Sequence, residues 1–176
     1  MSAAPFLVAA ALALAPVLAA AQADGASDDR ARIVEVVDAI DVAVDAKDWA
    51  RARELFTDTI DADFTSLAGG RPARIPADQL VAGWRRNLHA DKSSHHMRTN
   101  HQVTIRGDAA VVLSKGYAFN KLASRLGGDL WEVWGDYRHT LVRTPAGWRV
   151  SGMRFTVTHA RGNERARDFV PDGRAD

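Results

Sequence analysis

The 176-residue sequence contains no cysteine. Its fold must therefore be stable without disulfides, and metal sites built on thiolates are excluded. The sequence also lacks an excess of either positive or negative charge, because it has 23 basic and 22 acidic residues. These residues are interspersed, without a long block of either sign. Nucleic-acid-binding proteins usually carry a basic patch or stripe. We therefore expect no nucleic-acid partner.

The first 23 residues lack charged side chains and end in the small-x-small triplet Ala21-Gln22-Ala23. This pattern is typical of a secretory signal peptide. A retained membrane anchor is the alternative, because no lysine or arginine precedes the apolar stretch and its length approaches that of a membrane span. No second apolar run of that length follows. We expect cleavage after Ala23 and a secreted or periplasmic protein without membrane contact thereafter.

Residues 24–28 are predicted to form a short polar linker, and the remaining chain has the length of one domain. The spacing of apolar residues predicts a first helix over residues 29–47, a second helix capped by Asp48 and a third that opens at Pro76. A short strand is predicted over residues 62–67. The apolar face of the first helix consists of Ile33, Val37, Ile40 and Val44.

The second half of the chain has the alternating pattern of antiparallel strands. The predicted strands span residues 99–105, 109–119, 130–143 and 148–158. The apolar phase shifts at Ser151-Gly152, which predicts a β-bulge that bends the sheet. Helices followed by a curved antiparallel sheet indicate an α+β domain over residues 29–160, with the helices on one face of the sheet. Residues 161–176 are expected to form a flexible tail.

Residues 93–105 read SSHHMRTNHQVTI and place two histidines side by side in a predicted strand. Neighbouring strand side chains point to opposite faces, so His95 and His96 cannot both face one pocket. We expect no metal site, because no further ligand stands at a suitable spacing. The GxSxG motif of a nucleophilic serine is also missing. A lone inward histidine is suited to general acid-base catalysis if a carboxylate holds its tautomer.

Three aspartates of the first helix are candidates for that carboxylate. Asp38, Asp41 and Asp45 lie three and four residues apart and border the apolar face of the helix. The same spacing also fits an acidic face that is only solvated, so periodicity alone does not choose between the two interpretations.

The string Val44-Asp45-Ala46-Lys47-Asp48-Trp49 is followed in order by Phe64, Pro76-Ala77-Asp78, His95-His96-Met97 and Gly147-Trp148. This combination resembles the SnoaL-like branch of the NTF2-like superfamily, and within it the scytalone dehydratases. The resemblance covers about residues 29–160. Its most specific part is the Asp-x-Lys-Asp-Trp string, and its weakest part is the Gly-Trp pair.

The resemblance implies a cone-shaped α+β barrel that encloses one apolar pocket, often in dimers or trimers. In the dehydratases and dehydrochlorinases of this family, an aspartate near the end of the first helix pairs with a histidine that opens the long sheet. These positions correspond to Asp45 and His96. His96 is therefore expected to face inward, and His95 to face outward or into a subunit contact. Such a pair abstracts a proton beside a leaving group.

The chain departs from the scytalone dehydratases at three pocket positions. Val44 and Phe64 stand where that enzyme has tyrosines, and Asn120 stands where it has a second histidine. An asparagine forms hydrogen bonds but does not shuttle protons at neutral pH. Scytalone itself is therefore not the expected substrate.

We expect a pocket that binds a small hydrophobic molecule, although each aromatic residue considered for its wall could also be ordinary core. The candidate substrate-binding residues are Phe64, Trp84, Tyr117, Asn120 and Trp134. The function favoured by the sequence is that of an exported lyase (dehydratase) or isomerase that works without a cofactor and forms a homo-oligomer. A binding protein of the same shape, without turnover, is the alternative.

Overall fold

A computed structural model describes residues 14–124 and 128–171 of the chain, with side chains from residue 27 onward. Residues 1–13, which form most of the predicted signal peptide, lie outside the described residues. The described elements are α1 (Leu14–Asp45), α2 (Trp49–Glu54), β1 (Phe56–Asp63), α3 (Thr65–Ala68), β2 (Ala73–Pro76), α4 (Ala77–Asn87), β3 (Ser93–Arg106), β4 (Ala109–Lys121), β5 (Leu130–Thr144), β6 (Gly147–Gly162) and α5 (Glu164–Asp168).

The strands form one six-stranded sheet in the order β2-β1-β6-β5-β4-β3. All neighbours are antiparallel except β1 and β6, which run parallel. The predicted α+β class and curved antiparallel sheet are confirmed. The sheet does not close into a complete barrel, because β2 and β3 remain its two edges and α1 packs across the concave face. In the described parts of the chain, no helix is long and apolar enough to cross a membrane.

Helix α1 is held by its apolar stripe, whose members are at most 5% exposed: Ile33, Val37, Ile40 and Val44. This stripe packs against buried residues of the sheet such as Val112 and Val150. The described part of the helix extends from Leu14 through residues 24–28, so the prediction of a linker there was wrong. It ends where Lys47 takes a positive φ of 58°, which turns the chain toward α2.

Two β-bulges in β6 and one in β3 bend the sheet. The predicted bulge is present at Ser151, because Thr140 pairs with Gly152 while Leu141 pairs with Val150. A second extra residue in β6 lies at Thr158. In β3, the pair Asn100-His101 lies opposite the single residue Ser114. Asn100 has a φ of 57°, a conformation that asparagine tolerates better than most residues.

Two predicted segments differ from the structure. The strand expected at residues 62–67 is instead the end of β1 followed by the short helix α3. The tail expected from residue 161 continues β6 and then forms α5, which buries Ala166 to 1% exposure. Asn163 caps α5 by accepting a 3.0 Å hydrogen bond from the Arg165 backbone N–H. Residues 172–176 of the predicted tail lie outside the described residues.

Candidate active site

Asp45 and His96 are in direct contact between the end of α1 and the start of β3. Asp45 Oδ1 lies 2.7 Å from His96 Nδ1, and Asp45 Oδ2 accepts the His96 backbone N–H at 2.7 Å. Ser94 Oγ donates a third hydrogen bond to Asp45 Oδ1 at 2.9 Å. The side chains of Asp45 and His96 are each 19% exposed. The Asp45–His96 dyad is therefore fixed in orientation and partly shielded from water.

The hydrogen bonds of Asp45 set the tautomer of His96. Burial alone would raise the pKa of Asp45, but hydrogen bonds from His96 and Ser94 and the charge interaction with His96 outweigh it, so the pKa is lowered. An ionised carboxylate only accepts hydrogen bonds, and His96 Nδ1 must therefore carry the hydrogen. Nε2 is then the basic nitrogen of the ring. This is the arrangement that general-base catalysis requires.

The adjacent His95 has a different environment. Its side chain is 51% exposed, and its ring packs at 5.6 Å from the Phe119 ring. His95 Nδ1 is 3.9 Å from Asp45 Oδ2, which is beyond hydrogen-bond distance. The structure therefore places His95 on the outer side, as the alternation of a strand requires.

All three aspartates of α1 considered from the sequence contact basic side chains of β3. The contacts are Asp45 with His96 at 2.7 Å, Asp41 with Arg98 at 2.5 Å, and Asp38 with His101 at 2.9 Å. The row is therefore not simply a solvated acidic face. It joins α1 to the edge strand of the sheet.

His96 lines a cavity of about 520 Å³ between the helices and the concave face of the sheet. This volume lies within the range of small-molecule sites. The walls are mostly aromatic and aliphatic, with Phe64, Trp84, Trp131, Tyr137 and Phe155 as the aromatic contributors. The polar side chains Asp41, Arg98 and Asn120 reach the same cavity.

Three of the five predicted substrate-binding residues line this cavity, namely Phe64, Trp84 and Asn120. Tyr117 and Trp134 do not. They pack against each other on the convex face, with ring centroids 5.0 Å apart, and Tyr117 donates a 2.8 Å hydrogen bond to Glu132. The placement of these two residues in the pocket was wrong, because the inward residues of β4 are the even-numbered ones and those of β5 the odd-numbered ones.

Arg98 is a cavity residue that the sequence interpretation missed. Its side chain is only 2% exposed, and its guanidinium contacts Asp41 and lies 4.1 Å from the centroid of the Tyr137 ring. Arg98 Nη1 also lies 2.9 Å from His139 Nε2. Arginine only donates, so His139 Nε2 accepts. Burial, reinforced by the charge of Arg98, lowers the pKa of His139 well below its ordinary value and keeps this histidine neutral.

Helix α5 completes one side of the cavity through Arg167 and Asp168. The fully buried Lys92 holds this helix by donating from Nζ to the Arg167 carbonyl at 2.9 Å. Asn87 Nδ2 donates to the same carbonyl at 3.0 Å. Burial lowers the pKa of Lys92 from 10.5 to about 8. The C-terminal segment is thus part of the site rather than an appendage.

Within the described residues, no group of three or more His, Cys, Asp or Glu side chains could hold a metal ion.

The model of the SnoaL-like domain family matches residues 25–154. The crystal structure of the Kfla4162 protein from Kribbella flavida is 32% identical, with a TM-score of 0.77 over 81% of this chain and 99% of that chain. No curated protein matches the chain.

The similar structures include two NTF2-like or dehydratase-like proteins from Novosphingobium aromaticivorans. One is an NTF2-like protein with a cystatin-like fold, 23% identical, with a TM-score of 0.65 over 88% of this chain and 90% of that one. The other is a proposed scytalone dehydratase, 15% identical, with a TM-score of 0.68 over 88% of this chain and 99% of that one. At these identities the likeness shows the fold alone. The match to the family model over residues 25–154, together with this shared fold, shows that the chain belongs to the SnoaL-like family of the NTF2-like superfamily.

Proposed function

We propose that this protein is a lyase of the dehydratase type, or an isomerase, in which the Asp45–His96 dyad moves a proton on a small hydrophobic molecule. The observation that supports this most is the 2.7 Å contact between Asp45 Oδ1 and His96 Nδ1. This contact leaves Nε2 as the basic nitrogen of His96, which lines the cavity. Histidine is the usual general base at physiological pH.

In the proposed dehydration, His96 Nε2 takes a proton from a carbon of the substrate. The C–H electron pair forms a carbon–carbon double bond, and the hydroxyl on the neighbouring carbon leaves. The imidazolium returns its proton to that hydroxyl, which departs as water, while Asp45 stabilises the transient positive charge. In an isomerisation the same proton would return to a different carbon. Neither reaction requires a cofactor.

The walls of the cavity indicate the class of substrate. Phe64, Trp84 and Phe155 offer aromatic faces, and a cavity of about 520 Å³ suits a ring-containing molecule of ordinary ligand size. The cavity also contains polar side chains of β3, namely His96 and Arg98. The substrate is therefore expected to be largely apolar, with its reactive group directed toward β3.

The first experiment is to identify molecules that co-purify with the protein by mass spectrometry and to assay them for loss of water or double-bond migration. The second replaces His96 by Gln, which preserves hydrogen bonding but removes the base. We expect this variant to lose about 10²–10⁴-fold in turnover while it retains ligand affinity.

His95→Gln is the matched control, because His95 is the adjacent residue of the same strand but lies on the outer side. It should retain activity. If His96→Gln turned over as fast as the native protein, the proposed mechanism would be wrong. If the native protein bound its ligand without converting it, the chain would be a carrier.

We further propose that the protein is exported, with cleavage after Ala23, and works as a homo-oligomer. The uncharged apolar leader and its Ala-Gln-Ala end support export. Intact-mass measurement of protein recovered from a periplasmic or culture fraction would test the cleavage position. Sedimentation at several concentrations would test the oligomer, and a monomer at every concentration would contradict it.

A further inference from the structure

A second cavity, of about 380 Å³, lies between the turn that joins α1 to α2, helix α4 and the loop that joins α4 to β3. Among the described residues, its wall shares only Leu88 with the cavity that contains His96. The proposed acid-base reaction makes no use of this second cavity. Its own side chains must therefore show what it is suited to bind.

The wall of the second cavity carries an excess of positive charge. Its basic residues are Lys47, Arg85, Arg86 and His89, and Asp91 is the acidic residue among its described members. His89 Nδ1 lies 3.9 Å from Asp91 Oδ2, which is beyond hydrogen-bond distance. Even with His89 neutral, the positive charges of one lysine and two arginines outnumber the negative charge of Asp91. A concave wall with this balance of charge attracts anions.

The ammonium group of Lys47 is buried without a partner. Its Nζ atom is shielded from solvent and forms no hydrogen bond within the described part of the chain. Asp45, two residues earlier, is engaged by His96 and Ser94 instead. Burial lowers the pKa of Lys47, and the charge of Asp45 acts in the opposite direction. A buried charged donor without an acceptor costs free energy, and an anion bound beside it would remove that cost.

The backbone conformation of Lys47 is a second, independent indication. Lys47 follows α1 in a Schellman motif, because the Asp48 N–H donates to the Ala43 carbonyl at 2.8 Å and the Lys47 N–H donates to the Val44 carbonyl at 3.1 Å. Glycine usually occupies this position, since a φ of 58° strains a residue that has a Cβ atom. Strained residues concentrate at binding sites. The flexible stem of the lysine allows its ammonium to turn toward a ligand in the cavity.

The remaining wall of the second cavity is apolar and indicates the body of the ligand. Its apolar members are Trp49, Ala82, Leu88, Ala90 and Pro171. A hydrated inorganic ion would leave this apolar surface unused. The volume lies near the lower end of the range for small-molecule sites. The wall therefore suits a molecule with one ring and one anionic group.

We propose that the second cavity binds a small aryl carboxylate, with its carboxylate at Lys47 and Arg86 and its ring against Trp49. Carboxylates form strong, charge-assisted hydrogen bonds with both lysine and arginine. This site is separate from the catalytic cavity and does not depend on the proposed acid-base function.

The test is a calorimetric titration of the full chain with benzoate, and with benzamide as a neutral molecule of nearly the same shape. We expect benzoate to bind about tenfold or more tightly than benzamide. Lys47→Met keeps the apolar stem but removes the charge, and it should weaken benzoate binding about tenfold or more. Lys115→Met is the matched control, because it removes the same charge from an exposed site on β4. It should bind benzoate as native protein does.

Two further variants make the outcome independent of folding and locate the probe. Arg86 is exposed, so Arg86→Gln should leave the fold intact and weaken benzoate binding several-fold. His96→Gln should bind benzoate as native protein does, and a loss there would place the probe in the catalytic cavity and overturn the proposal. The proposal is also overturned if native protein binds benzoate no more tightly than benzamide or inorganic phosphate, or if folded Lys47→Met and Arg86→Gln bind it as native protein does.

Discussion

Replacement of Asp45 by Asn is expected to switch off the base by changing the tautomer of His96. In the native protein, Oδ1 accepts from His96 Nδ1 and Ser94, and Oδ2 accepts from the His96 backbone N–H. An asparagine has one accepting oxygen and one donating nitrogen. The backbone N–H cannot change its role, so the asparagine oxygen must take the Oδ2 position.

The asparagine NH₂ then faces His96 Nδ1 and Ser94 Oγ. The serine hydroxyl can rotate and accept, but Nδ1 can accept only if the ring hydrogen moves to Nε2. The nitrogen that should take the substrate proton is then already protonated. We expect turnover to fall roughly 10³–10⁴-fold, as for the wrong tautomer in a Ser-His-Asp triad.

The same change should also lower the free energy of unfolding. Three hydrogen bonds to a partly buried carboxylate become weaker bonds to a neutral amide, which we estimate at about 2–3 kcal/mol in total. Urea denaturation would measure this loss. Ser94→Ala removes only one of the three donors and leaves the tautomer unchanged, so its expected cost is about 1 kcal/mol.

Nitrogen-15 NMR of the imidazole ring gives the decisive readout. Native protein should show hydrogen on His96 Nδ1, Asp45→Asn should show it on Nε2, and Ser94→Ala should resemble native protein. A native spectrum with hydrogen on Nε2 would refute the reasoning, as would an Asp45→Asn spectrum that does not change.

Three further predictions concern the sheet and α5. Trp134→Phe should leave ligand affinity unchanged in a titration, because Trp134 packs on the convex face, and a clear loss would contradict that placement. Gly135→Ala should lower the free energy of unfolding by roughly 1–3 kcal/mol in denaturation experiments, since its Cβ would lie 2.4 Å from the Thr156 carbonyl oxygen and 2.5 Å from the Phe155 ring. Lys92 loses its proton near pH 8 in the folded protein but near pH 10.5 in the unfolded chain. The free energy of unfolding of the native protein should therefore rise between these two pH values, by at most roughly 3 kcal/mol relative to that of Lys92→Met. Parallel pH profiles of the two proteins would contradict this.

The contact between Asp45 and His96 could be anticipated because two simple periodicities and a resemblance agreed. The helical period puts Asp45 beside the apolar face of α1, and strand alternation allows only one of the two adjacent histidines to face it. Whether this pair catalyses a reaction is a separate question and remains a prediction.

The errors at Tyr117 and Trp134 have a physical cause. In β4 the outward residues include the large Tyr117 and Phe119, whereas the inward ones include the small Gly116 and Ala118, and the Tyr137 ring fills the space above Gly116. The usual rule that large apolar residues face inward therefore gives the wrong side. The structure pairs Gly116 with Gly135 across β4 and β5, a register that the apolar pattern of the sequence does not give.

Arg98 and His139 were missed because charged and titratable side chains are expected at the surface. Their burial depends on partners that are distant in the sequence, since Asp41 lies in α1 and His139 in β5. One signal was available. Arg98 is two residues beyond His96, and a strand that turns His96 inward also turns Arg98 inward.

The bulge in β3 explains why the contacts with α1 are three rather than two. A regular strand that directs Arg98 toward the helix would direct Asn100 there as well, and an asparagine is a weaker partner for a carboxylate. The extra residue at Asn100 shifts the alternation by one, so that His101 takes the inward position and contacts Asp38 at 2.9 Å. Each of the three aspartates thus has a basic partner, and the row fixes α1 against the edge strand.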